Sequence, residues 1–255
     1  FYAKQPSIFT IDATKTPAVI THKMVVTRDG KPAEKLDLEG IAVDPKGGFW
    51  LASEGNTKKE IPHAIYHVTK TGEIDQTINF PAELLANEKR FGSEGITLIG
   101  DTLWIAIQRT WKDDADNTVK LVAYNTKTNE WGAVNYPTET ADKGWVGLSE
   151  ITAYGDSVYI IERDNQLAEA AKIKRLYKVA MSDLKPAKLG GALPMVKKTL
   201  VHDFIPDLKA LNGFVVDKIE GFAIDKAGKG FAVTDNDGVD DSSGETYFFE
   251  VQEKF

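Results

Sequence analysis

Three features of this sequence predict an all-β fold: a motif that recurs four times, a near-constant spacing between its copies, and a second pair of β-type runs after each copy. One copy lies in residues 218–241, KIEGFAIDKAGKGFAVTDNDGVDD. Phe222-Ala-Ile224 and Phe231-Ala-Val233 are short β-type runs joined by the turn residues of Asp225-Lys-Ala-Gly228-Lys-Gly230, so the stretch reads as a hairpin. Its strands are antiparallel. Glu220 at the start of the first and Asp235, Asn236 and Asp237 at the end of the second therefore emerge at one edge of the sheet.

The other copies occupy residues 38–56, 93–109 and 149–165, the last with Ile151 where the others have glycine. Their lead glutamates, Glu39, Glu94, Glu150 and Glu220, stand 55, 56 and 70 residues apart. Residues 64–68 and 74–80 supply the second pair of runs in the first copy, and residues 121–124, 175–179 and 246–251 hold corresponding places later. Four strands per unit, repeated radially, describe a β-propeller. A β-sandwich would have to reproduce four aligned hairpins by coincidence. Trp50 and Trp104 occupy equivalent second-strand positions and read as blade core.

Residues 7–11 and 22–27 look like the two outer strands of a further blade whose inner hairpin is missing. The expectation is one propeller domain, residues 1–255, of about five or six four-stranded blades with the first incomplete in this chain. No linker interrupts it. Residues 81–86 suggest a short helical turn, residues 112–117 and 182–198 read as long loops, and residues 166–174 as an insertion on the acidic rim.

A chain of 255 residues that is 42% hydrophobic can bury a substantial core. Its net charge of −7, with no basic run, argues against nucleic-acid binding. It has no cysteine, hence no disulfide and no thiolate metal site. No stretch approaches the ~18 apolar residues of a membrane span. Nucleotide P-loop, H-E-x-x-H and G-x-S-x-G patterns are absent, since Ser93 sits in Phe-Gly-Ser-Glu-Gly and Ser149 in Gly-Leu-Ser-Glu-Ile. His63 and His67 read as surface or packing residues. A monomer is expected.

The first strand of each propeller blade lines the central axis, which places Glu39, Glu94, Glu150 and Glu220 around one end of the channel. The ends of the second strands add Glu54 and Asn56, Gln108 and Arg109, residues 162–165, and Asp235 and Asp237. Carboxylates that converge so closely must be protonated, paired with Arg109 and Arg163, or neutralised by a cation. Oxygen-only ligands favour calcium, with magnesium second. The expected metal ligands are Glu39, Glu94, Glu150, Glu220, Asp235 and Asp237; the competing reading makes each lead glutamate a clasp that holds the neighbouring blade. The acidic run that begins at Asp235 does not have EF-hand spacing, with Thr246 where the bidentate glutamate belongs. For chemistry, Glu162, Asp164 and Glu220 are the candidate general bases, and Arg109 and Arg163 the candidate phosphate clamps.

Asp37-Leu-Glu-Gly-Ile-Ala-Val-Asp44 with Ala52-Ser-Glu-Gly-Asn56, Gly92-Ser-Glu-Gly-Ile96, Ile161-Glu-Arg-Asp-Asn-Gln166, and Ile219-Glu-Gly-Phe-Ala-Ile224 with Thr234-Asp-Asn-Asp237 together resemble the phytase-like domain family, described as having the esterase-like activity of phytase. The resemblance covers nearly the whole chain. It implies a bacterial propeller, periplasmic or secreted, with a further amino-terminal hairpin, acting on a small-molecule ester or phosphorylated substrate. Three functions follow as alternatives: a cation-dependent hydrolase of phosphate esters, a calcium-dependent carboxylic esterase or lactonase, and a non-catalytic, calcium-stabilised binding propeller.

Overall fold

The computed structural model describes residues 5–236 and 246–255. It opens with a two-stranded ladder, β1 (Ser7–Asp12) and β2 (Val19–Val25), and a minimal hairpin, β3 (Thr27–Arg28) and β4 (Lys31–Pro32). The Glu39 blade follows as β5 (Leu38–Val43), β6 (Phe49–Ser53), β7 (Ala64–Val68) and β8 (Ile74–Asn79), paired in that order. A helical turn, α1 (Ala82–Leu85), leads to the Glu94 blade of β9 (Ser93–Ile99), β10 (Thr102–Ile107), β11 (Thr118–Asn125) and β12 (Trp131–Pro137).

The Glu150 blade contains β13 (Val146–Tyr154), β14 (Ser157–Asp164) and β15 (Lys174–Ala180). Before its outer strand forms, the chain crosses back and adds β16 (Ala187–Lys188) to β12, the outer edge of the preceding blade. β17 (Thr199–Asp203) then completes the Glu150 blade. The loop expected over residues 182–198 is thus a strap that covers a sheet edge which would otherwise be unpaired. After α2 (Ile205–Asn212), β18 (Ile219–Ile224), β19 (Lys229–Thr234) and β20 (Phe248–Lys254) make a three-stranded Glu220 blade.

The fold is all-β, with four blades in a propeller arrangement. The fifth unit expected from the sequence is represented by the β1–β2 ladder, which packs on the Glu39 blade through Ile8, joined by Val26 just after β2, and no sixth blade appears among the described residues. No described helix is long and apolar enough to cross a membrane.

Propeller cores lie between blades, and the hydrophobic clusters divide accordingly. Trp50 and Ile65 meet Ile105 and Trp111 between the Glu39 and Glu94 blades. Trp104 and Val134 meet Ile151 and Ile160 in the next interface, and Leu176 meets Phe222 and Val251 in the one after. Second strands are covered on both faces, which explains the uninterrupted apolar runs of β10 and β14. Each such side chain contributes about 1.5–3 kcal/mol of burial.

Adjacent inner strands approach at the Glu-Gly steps. A Cβ on Gly40 would fall on the Glu94 carbonyl oxygen, and one on Gly95 on the Ile151 amide nitrogen and within 2.6 Å of the Glu150 Cα. The glycine of the motif is therefore a spacer between neighbouring backbones. Gly95→Ala is expected to lower stability by about 1–3 kcal/mol through crowding; a melting temperature equal to the parent's would refute this role.

Candidate functional site

Every inner hairpin carries a register shift near its lead glutamate: at Leu38/Gly40, Ile105/Ile107, Leu148/Glu150 and Ile219/Gly221. A bulge inserts a residue and re-aims its side chain. Glu39 and Glu220 are themselves the inserted residues, and Glu94 belongs to the Glu94-Gly95 pair that stands opposite Ala106. In the Glu150 blade the inserted residue is Ser149, one position earlier, so Glu150 pairs in register with Ile161. A one-residue offset reverses the face a side chain takes.

Glu150 consequently leaves the ring. Its carboxyl accepts the Ile151 amide at 2.8 Å and also bonds to the backbone of Phe222, and burial pushes its pKa up to about 8. These bonds join the Glu150 and Glu220 blades, and Glu150 does not belong to the carboxylate group formed by Asp37, Glu39 and Glu54. The place it vacates is taken by Arg163. Ser149 Oγ accepts from Arg163 Nε at 2.9 Å, while the two terminal nitrogens reach Asp217 at 2.9 Å and Glu220 at 2.5 Å. Burial opposes this charge, but Glu220, Asp217 and Glu94 together hold the guanidinium pKa above its ordinary value.

Glu94 is almost fully buried and takes a 2.5 Å bond from Gln108 Nε2. Burial, then the charges of Glu39, Glu220 and Glu54, push it well above the usual carboxylate range. Glu39 is open to the channel yet ringed by protein; burial, then Glu220, Asp37, Glu54 and Asp235, raise it likewise. Asp235 lies on the exposed rim, 3.6 Å from Lys218 Nζ. Asp237 lies outside the described residues.

Two carboxylates complete the group, Asp37 and Glu54. With Glu39 they offer oxygens that all lie within 4.8 Å of one another. Glu54 N donates to the Asp37 carbonyl at 2.7 Å, which fixes the start of the first strand against the end of the second. Burial and then Asp37 push Glu54 up to about 7, with Arg90 and the Gly92 amide pulling the other way. Burial also raises Asp37, against the pull of Lys59 and Arg90. Among the described residues none of these three has a cationic side chain at ion-pair distance. Gly55 and Gly92 leave the room behind Glu54 that the buried His63 ring fills.

Glu162 and Asp164, expected as general bases, lie inside the protein and are saturated with bonds. Glu162 accepts from Lys198 Nζ at 2.7 Å, Tyr136 OH at 3.0 Å and the Glu139 amide at 2.5 Å. Asp164 takes Lys172 N at 2.7 Å, Ile173 N at 2.9 Å and Lys174 Nζ at 3.0 Å. Both organise the blade. Neither reaches the channel, because alternation along β14 turns Glu162 and Asp164 to one face and Arg163 to the other.

Arg109 lies beside the ring on a cavity of about 570 Å³ that also borders Arg90, Phe91 and Trp145. Its guanidinium rests against two neighbouring rings, 4.6 Å from the Phe91 ring centre and 4.5 Å from that of Trp145, whose centres are themselves 5.9 Å apart.

Glu54 and Gln108 stand at second-strand ends, where the sequence set them, whereas Asp37 and Asp217 carry parts of the site that the motif did not assign to it. For Asp37 the signal was present, since it precedes Glu39 by two residues and both belong to the matched Asp-Leu-Glu-Gly piece. Asp217 had none, being brought in by Arg163 from another blade.

The solved structure of a protein of unknown function from Bacteroides caccae is 12% identical, with 89% of this chain and 78% of that one covered at a TM-score of 0.41. None of the curated proteins matches. A family model described as phytase-like, esterase-like activity of phytase, matches residues 1–238. With that match across most of its length, the chain belongs to the phytase-like family.

Proposed function

We propose that this protein is a cation-dependent hydrolase that acts on phosphate esters of small molecules, with a divalent ion, calcium before magnesium, held by Asp37, Glu39 and Glu54. The supporting observation is uneven charge compensation around the ring: Arg163 pairs with Asp217 and Glu220, and Lys174 Nζ lies 3.4 Å from Asp217, while the three carboxylates within 4.8 Å of one another have no cationic partner at ion-pair distance among the described residues. An all-oxygen, all-carboxylate donor set fits a hard cation. When bound, such an ion polarises a phosphoryl oxygen and neutralises charge that would otherwise repel the substrate.

The chain's own groups do the rest. Arg163 holds Glu220 through Oε1, which leaves Oε2 to accept the proton of an attacking water. Gln108 holds Glu94 in place, and Arg90, which pulls on Asp37 and Glu54, meets negative charge arriving at the rim. Arg163 is spent on its two acids and drops out as a phosphate clamp.

Phosphate release from a phosphomonoester is expected with calcium and to be lost on chelation. Glu39→Gln and Asp37→Asn are each expected to weaken calcium binding by about tenfold or more, read by calorimetry, with the fold intact. Turnover of a carboxylic ester alone would replace the phosphate reading with the esterase one. Calcium binding without turnover of either ester would leave a binding propeller.

The pH dependence has a defined sign. Folded Glu54 holds its proton up to about pH 7, against an ordinary value of 4.5, so this contribution is fully present below about 4.5 and is lost as pH rises through about 7. Its size is at most about 3 kcal/mol. Glu39 and Glu94 act in the same direction. In chelator the melting temperature is expected to fall from pH 5 to pH 7.5, and calcium to restore it at the higher pH only. A melting temperature independent of both would count against the ion site.

A further inference from the structure

A cluster of arginines surrounds two touching aromatic rings beside the cavity. The Phe91 and Trp145 ring centres are 5.9 Å apart; Arg90 lies 5.0 Å from the Phe91 centre, Arg109 4.6 Å from Phe91 and 4.5 Å from Trp145, and Arg163 5.4 Å from Trp145. Arg163 binds Asp217 and Glu220, and Arg90 stands in the field of Asp37 and Glu54. Among the described residues no acceptor or carboxylate engages the Arg109 side chain.

Contact with aromatic rings steadies a guanidinium without using its N–H donors, which form a fork matched to two oxygens. Lys89 and Arg90 border the same cavity and likewise have no carboxylate at ion-pair distance among the described residues. Two acids also line it, but Glu139 is already held by Tyr177 at 2.8 Å and Lys198 at 3.3 Å, and Asp116 is exposed. Thr138 and Thr140 lie on the wall beside them. A volume of about 570 Å³ admits a small molecule.

We propose that this cavity is an oxyanion receptor, read by the unengaged guanidinium donors of Arg109 and assisted by Lys89 and Arg90, which binds a phosphate group without any cation. It stands on the cavity's geometry and holds whether or not the carboxylate ring hydrolyses esters. The same group is recognised whether it arrives as free phosphate or as part of a phosphomonoester.

The test is calorimetric titration of the full chain, in chelator, with inorganic phosphate and separately with phenyl phosphate. Saturable binding of at least one, with a Kd of about 1 mM or tighter, is expected. Both binding means that the phosphoryl group itself is read; inorganic phosphate alone marks a free-anion site, and phenyl phosphate alone a substrate site. Arg109→Gln and Arg109→Lys should each weaken it by about tenfold or more, since lysine has neither the fork nor the stacking plane. Lys89→Gln, on the exposed rim, gives a second reading should either Arg109 variant fail to fold, and is expected to weaken binding several-fold. Absence of binding in chelator, or affinity unchanged in these variants, overturns the proposal. Calcium-requiring phosphate binding that ignores Arg109→Gln would overturn it while supporting the ion site at Asp37, Glu39 and Glu54.

Discussion

Backbone against backbone at the Glu-Gly steps is the contact on which this molecule depends. Gly40 lies on the Glu94 carbonyl and Gly95 on the Ile151 amide, and no side chain could be accommodated between them. Inner strands drawn so close converge at the channel, and the bulges beside them turn Glu39 and Glu220 out of the ladder. The same packing that closes the interblade cores therefore concentrates negative charge at one end. Stability and function share one device.

Concentrated charge needs compensation, and the ring supplies it unevenly. Displacing one bulge by a single residue removes Glu150 from the channel and seats Arg163 there, with Ser149 as its support. On that side two acids meet a buried guanidinium in bonds of 2.5 and 2.9 Å. On the other, burial and mutual repulsion hold Glu39, Glu54 and Asp37 above their ordinary pKa values. Protons or a cation must finish the neutralisation there, which makes that half of the ring responsive to its solution and the Arg163 half a fixed part of the frame.

Arginine plays a second part beside an aromatic pair. Phe91 precedes the Glu94 hairpin and Trp145 precedes the Glu150 hairpin, so each ring sits at the entrance to an inner strand. Resting against both, Arg109 is held by rings that make no claim on its hydrogen-bond donors. The carboxylate ring and the cationic cavity meet at this pair, with Arg90 bordering both.

The repeat was legible because each hairpin carries its own local signals: turn residues, short β-type runs and an initial Glu-Gly. These identify strands and topology without reference to anything distant, and they placed Glu39, Glu94, Glu220 and Asp235 at one rim. What the sequence could not express is register. Ile151 in place of glycine marked the third copy as different, but nothing in the hairpin's own residues says that its bulge falls at Ser149 and not at Glu150. Glu162 and Asp164 share a motif with Arg163, yet strand alternation alone sends the acids into the core. Asp217 and the pairing of Phe91 with Trp145 come from different blades. By itself the sequence determined the repeated β unit and the acidic rim, because both are written within single hairpins; tertiary structure decided which charges are paired, because pairing joins residues that only the ring brings together.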